Sequence, residues 1–242
     1  MRRVNRLPLG AAAARYLQTR QRAVDAGVPD VATTWNAARK TKQVKDVLRR
    51  LQDMMGTRAR CMYCVDSHGA DIEHFWPKSA YPAKAFLWAN LLLCCTECGR
   101  FKGDQFPLDH GRPLLVDPTV DDPWAILDFD PRTGNLAARF DPKGEQYLRK
   151  GTATVGLLQL DRREALSDGY RKTWRRICGV VNRYLSGDDA GADLINRLLE
   201  ADDHGLLGWC FDGTGVDESP FREWRERDPA VWAVCAERVR GL

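Results

Sequence analysis

Two C-x-x-C pairs, Cys61/Cys64 and Cys95/Cys98, constrain what this chain can fold into more than any other feature. Each pair sets two thiolates within reach of one tetrahedral ion, and the thirty residues between the pairs close the site. Five of the eight cysteines fall within 38 residues. A disulfide framework requires an oxidising compartment, and no targeting segment points to one. A redox C-x-x-C belongs at a single strand-to-helix junction, which two separated pairs fit poorly. The expectation is a structural zinc site made of Cys61, Cys64, Cys95 and Cys98. Cys94 adjoins Cys95, and the two-residue spacing selects Cys95. Cys178, Cys210 and Cys235 sit among Ile177, Val180, Trp209, Phe211, Trp232 and Val234 and are read as core packing. Zinc in such a site is worth roughly 10 kcal/mol of folding free energy, enough to hold the intervening segment accurately.

That segment carries the chemistry-bearing groups Asp71, Glu73, His74 and Asn90. The stretch Ala70-Asp-Ile-Glu-His-Phe-Trp-Pro-Lys-Ser79 begins with strand-like alternation and stops at Pro77. A neutral imidazole can take a proton from water near pH 7, and an adjacent carboxylate can hold a divalent cation against a phosphate. Neighbouring strand residues face opposite ways, so Glu73 and His74 can serve one site only where the strand twists or ends. Taken alone, such a run is more often an ordinary surface strand.

Charge is unevenly distributed. The net charge is +4, yet residues 1–60 carry +10 and residues 199–242 carry −5. A basic end is an electrostatic footprint suited to nucleic acid, and a solvated helical face is the plainer account. The acidic end argues against a DNA-coating protein. With 44% hydrophobic residues over 242 positions the chain can build one good core or two small ones. Its longest apolar run, Ala85 to Cys95, is broken by Asn90 and falls short of the ~20 residues that span a bilayer. Met1-Arg-Arg3 and Leu7 to Ala14 outline a signal peptide only briefly, because Arg15 and Arg20 follow at helical spacing. The expected location is cytoplasmic, with no membrane partner.

Around the zinc pairs the pattern is mostly helical. Helices are predicted over 11–26 and 31–55 with a break at Pro29-Asp30, and over 152–160, 162–185, 190–201 and 218–240. Asp161 is read as the N-cap of the fourth of these, 124–130 and 135–140 as a β-hairpin, and the glycine-rich 205–215 as a loop. Lys40, Lys42, Lys45, Arg49 and Arg50 lie together on the second helix and suit a duplex backbone. His68, His110 and His204 are given no role, and Trp209, Trp224 and Trp232 are read as core.

In order, C-x-x-C, D-I-E-H-F-W-P-K-S, W-x-N-L-L-L-C-C-x-x-C and F-K-G-D-x-F-P occur within about fifty residues, from Arg60 to Pro107. This succession resembles the HNH endonuclease family, in which a ββα-metal core of hairpin and helix surrounds one catalytic cation. In its zinc-bearing branch two C-x-x-C pairs brace that core. The resemblance implies an α+β fold, a small ββα-metal core inside a mostly α-helical shell. Its regions would be basic helical 1–57, zinc-braced nuclease core 58–107, and hairpin with C-terminal helices 108–242. It implies His74 as the general base, Glu73 as ligand of a catalytic Mg²⁺ or Mn²⁺, Asn90 as the residue pinning the base-bearing loop, and Lys102 as a contact to the phosphodiester backbone. One position departs from the family pattern. The residue after the last zinc cysteine, usually His or Asn and a cation ligand, is Gly99. Asp71, Asp104 or water would have to compensate, which Mg²⁺ tolerates because it keeps a mostly aqueous shell.

Further downstream, Phe106-Pro-Leu108, Pro113-Leu-Leu-Val-Asp-Pro118, Asp121-Asp-Pro123, the hairpin and Gly151 to Arg176 resemble the HNH nucleases called PtuB. Those are the nuclease half of Septu anti-phage systems and of related retron systems, and their partner is an ABC-type ATPase, PtuA. The resemblance therefore implies a DNA-cutting defence effector coupled to an ATPase. The chain has no G-x-x-x-x-G-K-[ST] phosphate loop, so ATP dependence would have to come from another chain. A stand-alone restriction-type nuclease and a zinc-braced adaptor that does not cut are the alternatives. RNA as substrate stays open, because backbone chemistry and a cationic surface do not distinguish it from DNA, although no RNA-binding signature is present.

Overall fold

The computed structural model of the chain describes residues 1–27, 30–188 and 193–241. Helices are joined to short antiparallel hairpins, an α+β composition. Among the described residues no helix is long and apolar enough to cross a membrane. The chain forms two compact units. One comprises Val4–Tyr63 and Ser67–Pro113, the other Met1–Arg3, Cys64–Asp66 and Leu114–Leu242. Most of the basic 1–57 region thus shares a unit with most of 58–107.

The first of these units opens with α1 (Ala11–Asp25), α2 (Val31–Ala38) and α3 (Lys42–Met54). The single helix expected over 31–55 is two. Thr41 leaves the helical conformation and caps α3, its hydroxyl accepting from the Val44 amide and donating to the Ala38 carbonyl. Lys40 therefore lies between helices. Asp30 caps α2 through the amides of Ala32 and Thr33, and Pro29 lies outside the described residues. On α3 the buried residues Val44, Val47 and Leu51 form one apolar stripe, which leaves Lys42 and Arg49 on the exposed side. Then come β1 (Asp71–His74), β2 (Leu91–Cys94) and α4 (Thr96–Lys102), followed by the small hairpin of β3 (Leu108–Asp109) and β4 (Arg112–Pro113). β1 pairs antiparallel with β2 in the register Asp71–Cys94, Ile72–Leu93, Glu73–Leu92 and His74–Leu91. All four β2 residues are buried, so this strand is the core of the hairpin.

In the second unit, β5 (Leu127–Phe129) and β6 (Leu136–Ala138) form the expected hairpin, shorter than predicted because Pro123–Ala125 takes a 3₁₀ turn. Gly134 at its turn has φ +82°, and an added Cβ would meet the Ser167 carbonyl at 2.2 Å. A further hairpin pairs β7 (Phe140–Asp141) with β8 (Gln146–Tyr147). The helices are α5 (Arg149–Leu158), α6 (Glu164–Ser186), α7 (Leu194–Ala201), α8 (Leu207–Asp212), α9 (Phe221–Arg227) and α10 (Pro229–Arg240). Three expectations change here. α6 begins at Glu164 with Arg163 at the cap position, so Asp161 is not its N-cap. The predicted loop 205–215 contains α8, because the apolar Leu207, Trp209, Cys210 and Phe211 gain more from burial than the two nearby glycines lose. The helix expected over 218–240 breaks at Asp228, whose carboxylate accepts from the Val231 amide ahead of Pro229 and starts α10. The 190–192 part of the helix predicted over 190–201 lies outside the described residues. Trp209, Trp224 and Trp232 are buried, as are Cys210 and Cys235, whereas Cys178 is half-buried.

Candidate functional site

Cys61, Cys64, Cys95 and Cys98 come together with their sulfur atoms within 4.8 Å of one another, all buried. Four converging thiols fit a zinc site. The second pair is built into the start of α4, where Cys95 occupies the cap position and its sulfur accepts from the Cys98 amide at 3.4 Å. The first pair lies on the turn after Arg60, which is tied to β2 by the Met62 amide donating to the Leu93 carbonyl at 2.9 Å. Gly69 closes this turn against Leu93, whose side chain would stand 2.3 Å from an added Cβ. Cys94 is outside the quartet. Its thiol donates to the Cys95 carbonyl, and a hydrogen bond to Cys61, followed by burial, raises its pKa strongly.

β1 delivers Glu73 and His74 to one cleft of about 480 Å³, because the strand ends at His74. Trp35, Arg39, Lys45, Asp71, Lys78, Gly99 and Asp104 also border this cleft. The His74 ring is buried, with Nε2 3.0 Å from the Ala85 carbonyl. A carbonyl only accepts, so Nε2 carries the proton and Nδ1 keeps a free lone pair. The edge of the Trp35 ring packs on the imidazole with centroids 4.3 Å apart. Burial first, then the field of Lys78, pulls the His74 pKa down to about 3, so the ring is neutral at physiological pH.

Glu73 is held by Lys102 and by the His74 backbone amide. The Lys102 ammonium donates to its Oε1 at 2.8 Å and to the His74 carbonyl at 2.9 Å. Lys102 is fully buried at the end of α4 and is not among the residues bordering the cleft. This departs from the expectation that it reaches a phosphate, since its three donors are spent on Glu73, His74 and the Gly103 carbonyl. Desolvation raises the Glu73 pKa, and Lys102 opposes it. The other carboxylate oxygen, Oε2, stands 3.7 Å from where a Cβ would lie on Gly99. The same Cβ would stand 3.7 Å from Cys94 Sγ, so it would meet both neighbours at ordinary contact distance. Asp71 and Asp104 line the same cleft, yet the four cysteines are the one cluster of three or more metal-ligating groups among the described residues.

Asn90, buried at the end of a 3₁₀ turn just before β2, stitches the segment that follows His74. Its Oδ1 accepts from the Trp76 amide at 2.7 Å, and its Nδ2 donates to the carbonyls of Trp76 and Lys84 at 3.1 and 2.9 Å. Phe75 donates from its amide to the Asn90 carbonyl, extending the strand pairing by one residue.

Sequence reasoning missed Trp35, which carries no polar signal, and Gln21, a polar residue on an apolar helix face. It also missed what surrounds His204. That ring is buried, 3.1 Å from Asp66 through Nε2 and 2.7 Å from the Thr173 hydroxyl through Nδ1. Thr173 is fully buried, which makes the trio a packed polar network rather than an exposed reaction centre.

No protein-family model matches the chain. It is similar to the Septu protein PtuB of Bacillus thuringiensis, 36% identical over 112 residues. The match takes in 44% of this chain and 38% of that protein, so it spans well under half the length of that relative. Over this stretch the chain is a partial homologue of a component of the Septu defence systems.

Proposed function

We propose that the chain is a metal-dependent endonuclease of the HNH type that hydrolyses phosphodiester bonds of DNA, working as the nuclease component of a Septu-like defence complex with an ABC-type ATPase. The observation that carries the reading is the neutral, buried His74 beside the carboxylate of Glu73 on one cleft. The partial similarity to a Septu protein supports the setting, and the order of motifs from Arg60 to Pro107 supports the chemistry.

His74 takes the proton of the attacking water at Nδ1 while Nε2–H stays on the Ala85 carbonyl, which fixes the ring and supports the imidazolium as it forms. The pKa of about 3 belongs to the protein without substrate, and the negative charge of a phosphodiester beside the ring raises its basicity. Glu73 Oε2 would hold Mg²⁺ or Mn²⁺, which when bound neutralises charge on the phosphate and leaving oxygen. Lys102 opposes the rise that burial imposes on the Glu73 pKa. Arg39, Lys45 and Lys78 at the cleft then take over the phosphate contacts first expected of Lys102. The four-cysteine site braces the start of α4 and hence Lys102.

Gly99 favours a second reading, a zinc-braced adaptor that binds but does not cut. Plasmid cleavage in Mg²⁺ and in Mn²⁺, wild type beside His74→Ala, separates the two. Cutting by the wild type, lost in His74→Ala at unchanged zinc content, is the expected result. No cutting by the wild type, alone or with an ABC-type ATPase of the PtuA kind, would select the adaptor.

A further inference from the structure

We propose that Gln21 of α1 is a positioning residue for His74, acting through the Ala85 carbonyl. The proposal rests on the reading of His74 as the base. Gln21 is buried, although α1 otherwise turns small and apolar residues inward. Its carboxamide clamps a single turn at both ends. Oε1 accepts from the Phe86 amide at 2.8 Å, and Nε2 donates to the Pro82 carbonyl at 3.1 Å. The same Nε2 also donates to Asp25 at 2.8 Å, one helical turn along. Between the two clamped positions sits Ala85, fully buried, whose amide donates to Pro82 and whose carbonyl meets His74 Nε2.

The carbonyl direction of Ala85 decides which imidazole nitrogen carries the proton. A backbone carbonyl swings only if its peptide unit rotates, and rotation here breaks the Phe86 amide bond to Gln21. Asn90 holds the neighbouring Lys84 carbonyl, so the turn is fixed from β2 as well as from α1. Only Gln21 spans Ala85 itself. A glutamine fits because the task needs one acceptor and one donor on the same planar group, which neither glutamate nor methionine supplies.

Four histidines make the ring nitrogens assignable by long-range ¹H–¹⁵N correlation on the zinc-loaded full chain. The wild type is expected to show His74 as a single tautomer protonated at Nε2. Gln21→Met keeps the volume and removes both hydrogen bonds, so the Nδ1-protonated form should appear. On a cleavable oligonucleotide kcat should then fall roughly 100-fold, the scale of a misplaced catalytic group, with KM within about twofold. If Gln21→Met does not fold, Gln21→Glu keeps the acceptor for Phe86 and loses the donor to Pro82; a tautomer mixture and reduced kcat are expected there too. A single unchanged tautomer with unchanged kcat in the folded variant overturns the proposal. A shifted tautomer in a protein whose wild type cuts nothing upholds the positioning role and removes the nuclease reading.

Discussion

Removing Lys102 tests at one residue whether its charge serves substrate or structure. Lys102→Met should cost about 3–5 kcal/mol, because it strands a carboxylate that is already short of water. Urea unfolding checks this. In the double variant with Glu73→Gln the loss should be smaller than the sum of the single losses. A Lys102→Met protein of unchanged stability and weakened DNA binding would return the residue to the phosphate. His74 carries a second prediction at this scale. Its folded pKa of about 3 lies below the 6.5 of an exposed imidazole. Between those values the unfolded chain binds a proton that the folded chain does not, so stability falls as pH drops from 6.5 toward 3, by about 1.4 kcal/mol per unit. His74→Gln has no such titration. Unfolding curves at pH 6.5, 5.5 and 4.5 should therefore be steeper in pH for the wild type, and equal slopes would contradict the burial. The roles of individual residues were unevenly legible. His74 and Glu73 stood out because they are adjacent titratable groups on a strand that ends at a proline. Lys102 was misassigned because the sequence does not tell which lysine faces water.

The elements around the site depend on the zinc cluster, and the adjacent Cys94 and Cys95 separate ligand from bystander. Cys95→Ser or Cys98→Ser should lose the metal and unfold the hairpin and α4, since structural zinc is worth roughly 10 kcal/mol. Cys94→Ala should keep a full zinc content and lose only the stability of a small cavity. Zinc release measured with a colorimetric chelator, beside melting curves, decides; a zinc-free Cys94→Ala would put the wrong thiol in the quartet. Element boundaries were legible where the sequence carries its own stop. Asp30 opens α2 as an N-cap, and α1 covers 11–25 against an expected 11–26. They were missed where a cap lies inside a long helical pattern, as at Thr41 and at Asp228-Pro229. Local capping there outweighs helix propensity, worth only tenths of a kcal/mol per residue. α8 went unseen for the opposite reason, since glycine-rich spacing masked residues whose burial decides their conformation.

At the scale of the whole molecule, the Septu setting makes a prediction that no single site does. Co-expressed with an ABC-type ATPase of the PtuA kind, the tagged chain should co-elute with that protein on size exclusion at moderate salt. Elution of the chain alone at every salt tested would leave a stand-alone nuclease. The sequence by itself determined the α+β class, the four clustered thiols and the motif order around His74, because metal-ligand spacing and strand alternation are local and each is written in a few residues. Only the tertiary structure decided that the N-terminal helices belong to the unit that holds the cleft, that Trp35 packs on the His74 ring while Gln21 holds the turn carrying Ala85, and that Lys102 is spent on Glu73. Those facts depend on which distant side chains are excluded from water together. Burial of that kind is a property of packed surfaces, set by contacts between residues tens of positions apart, and no local pattern records it.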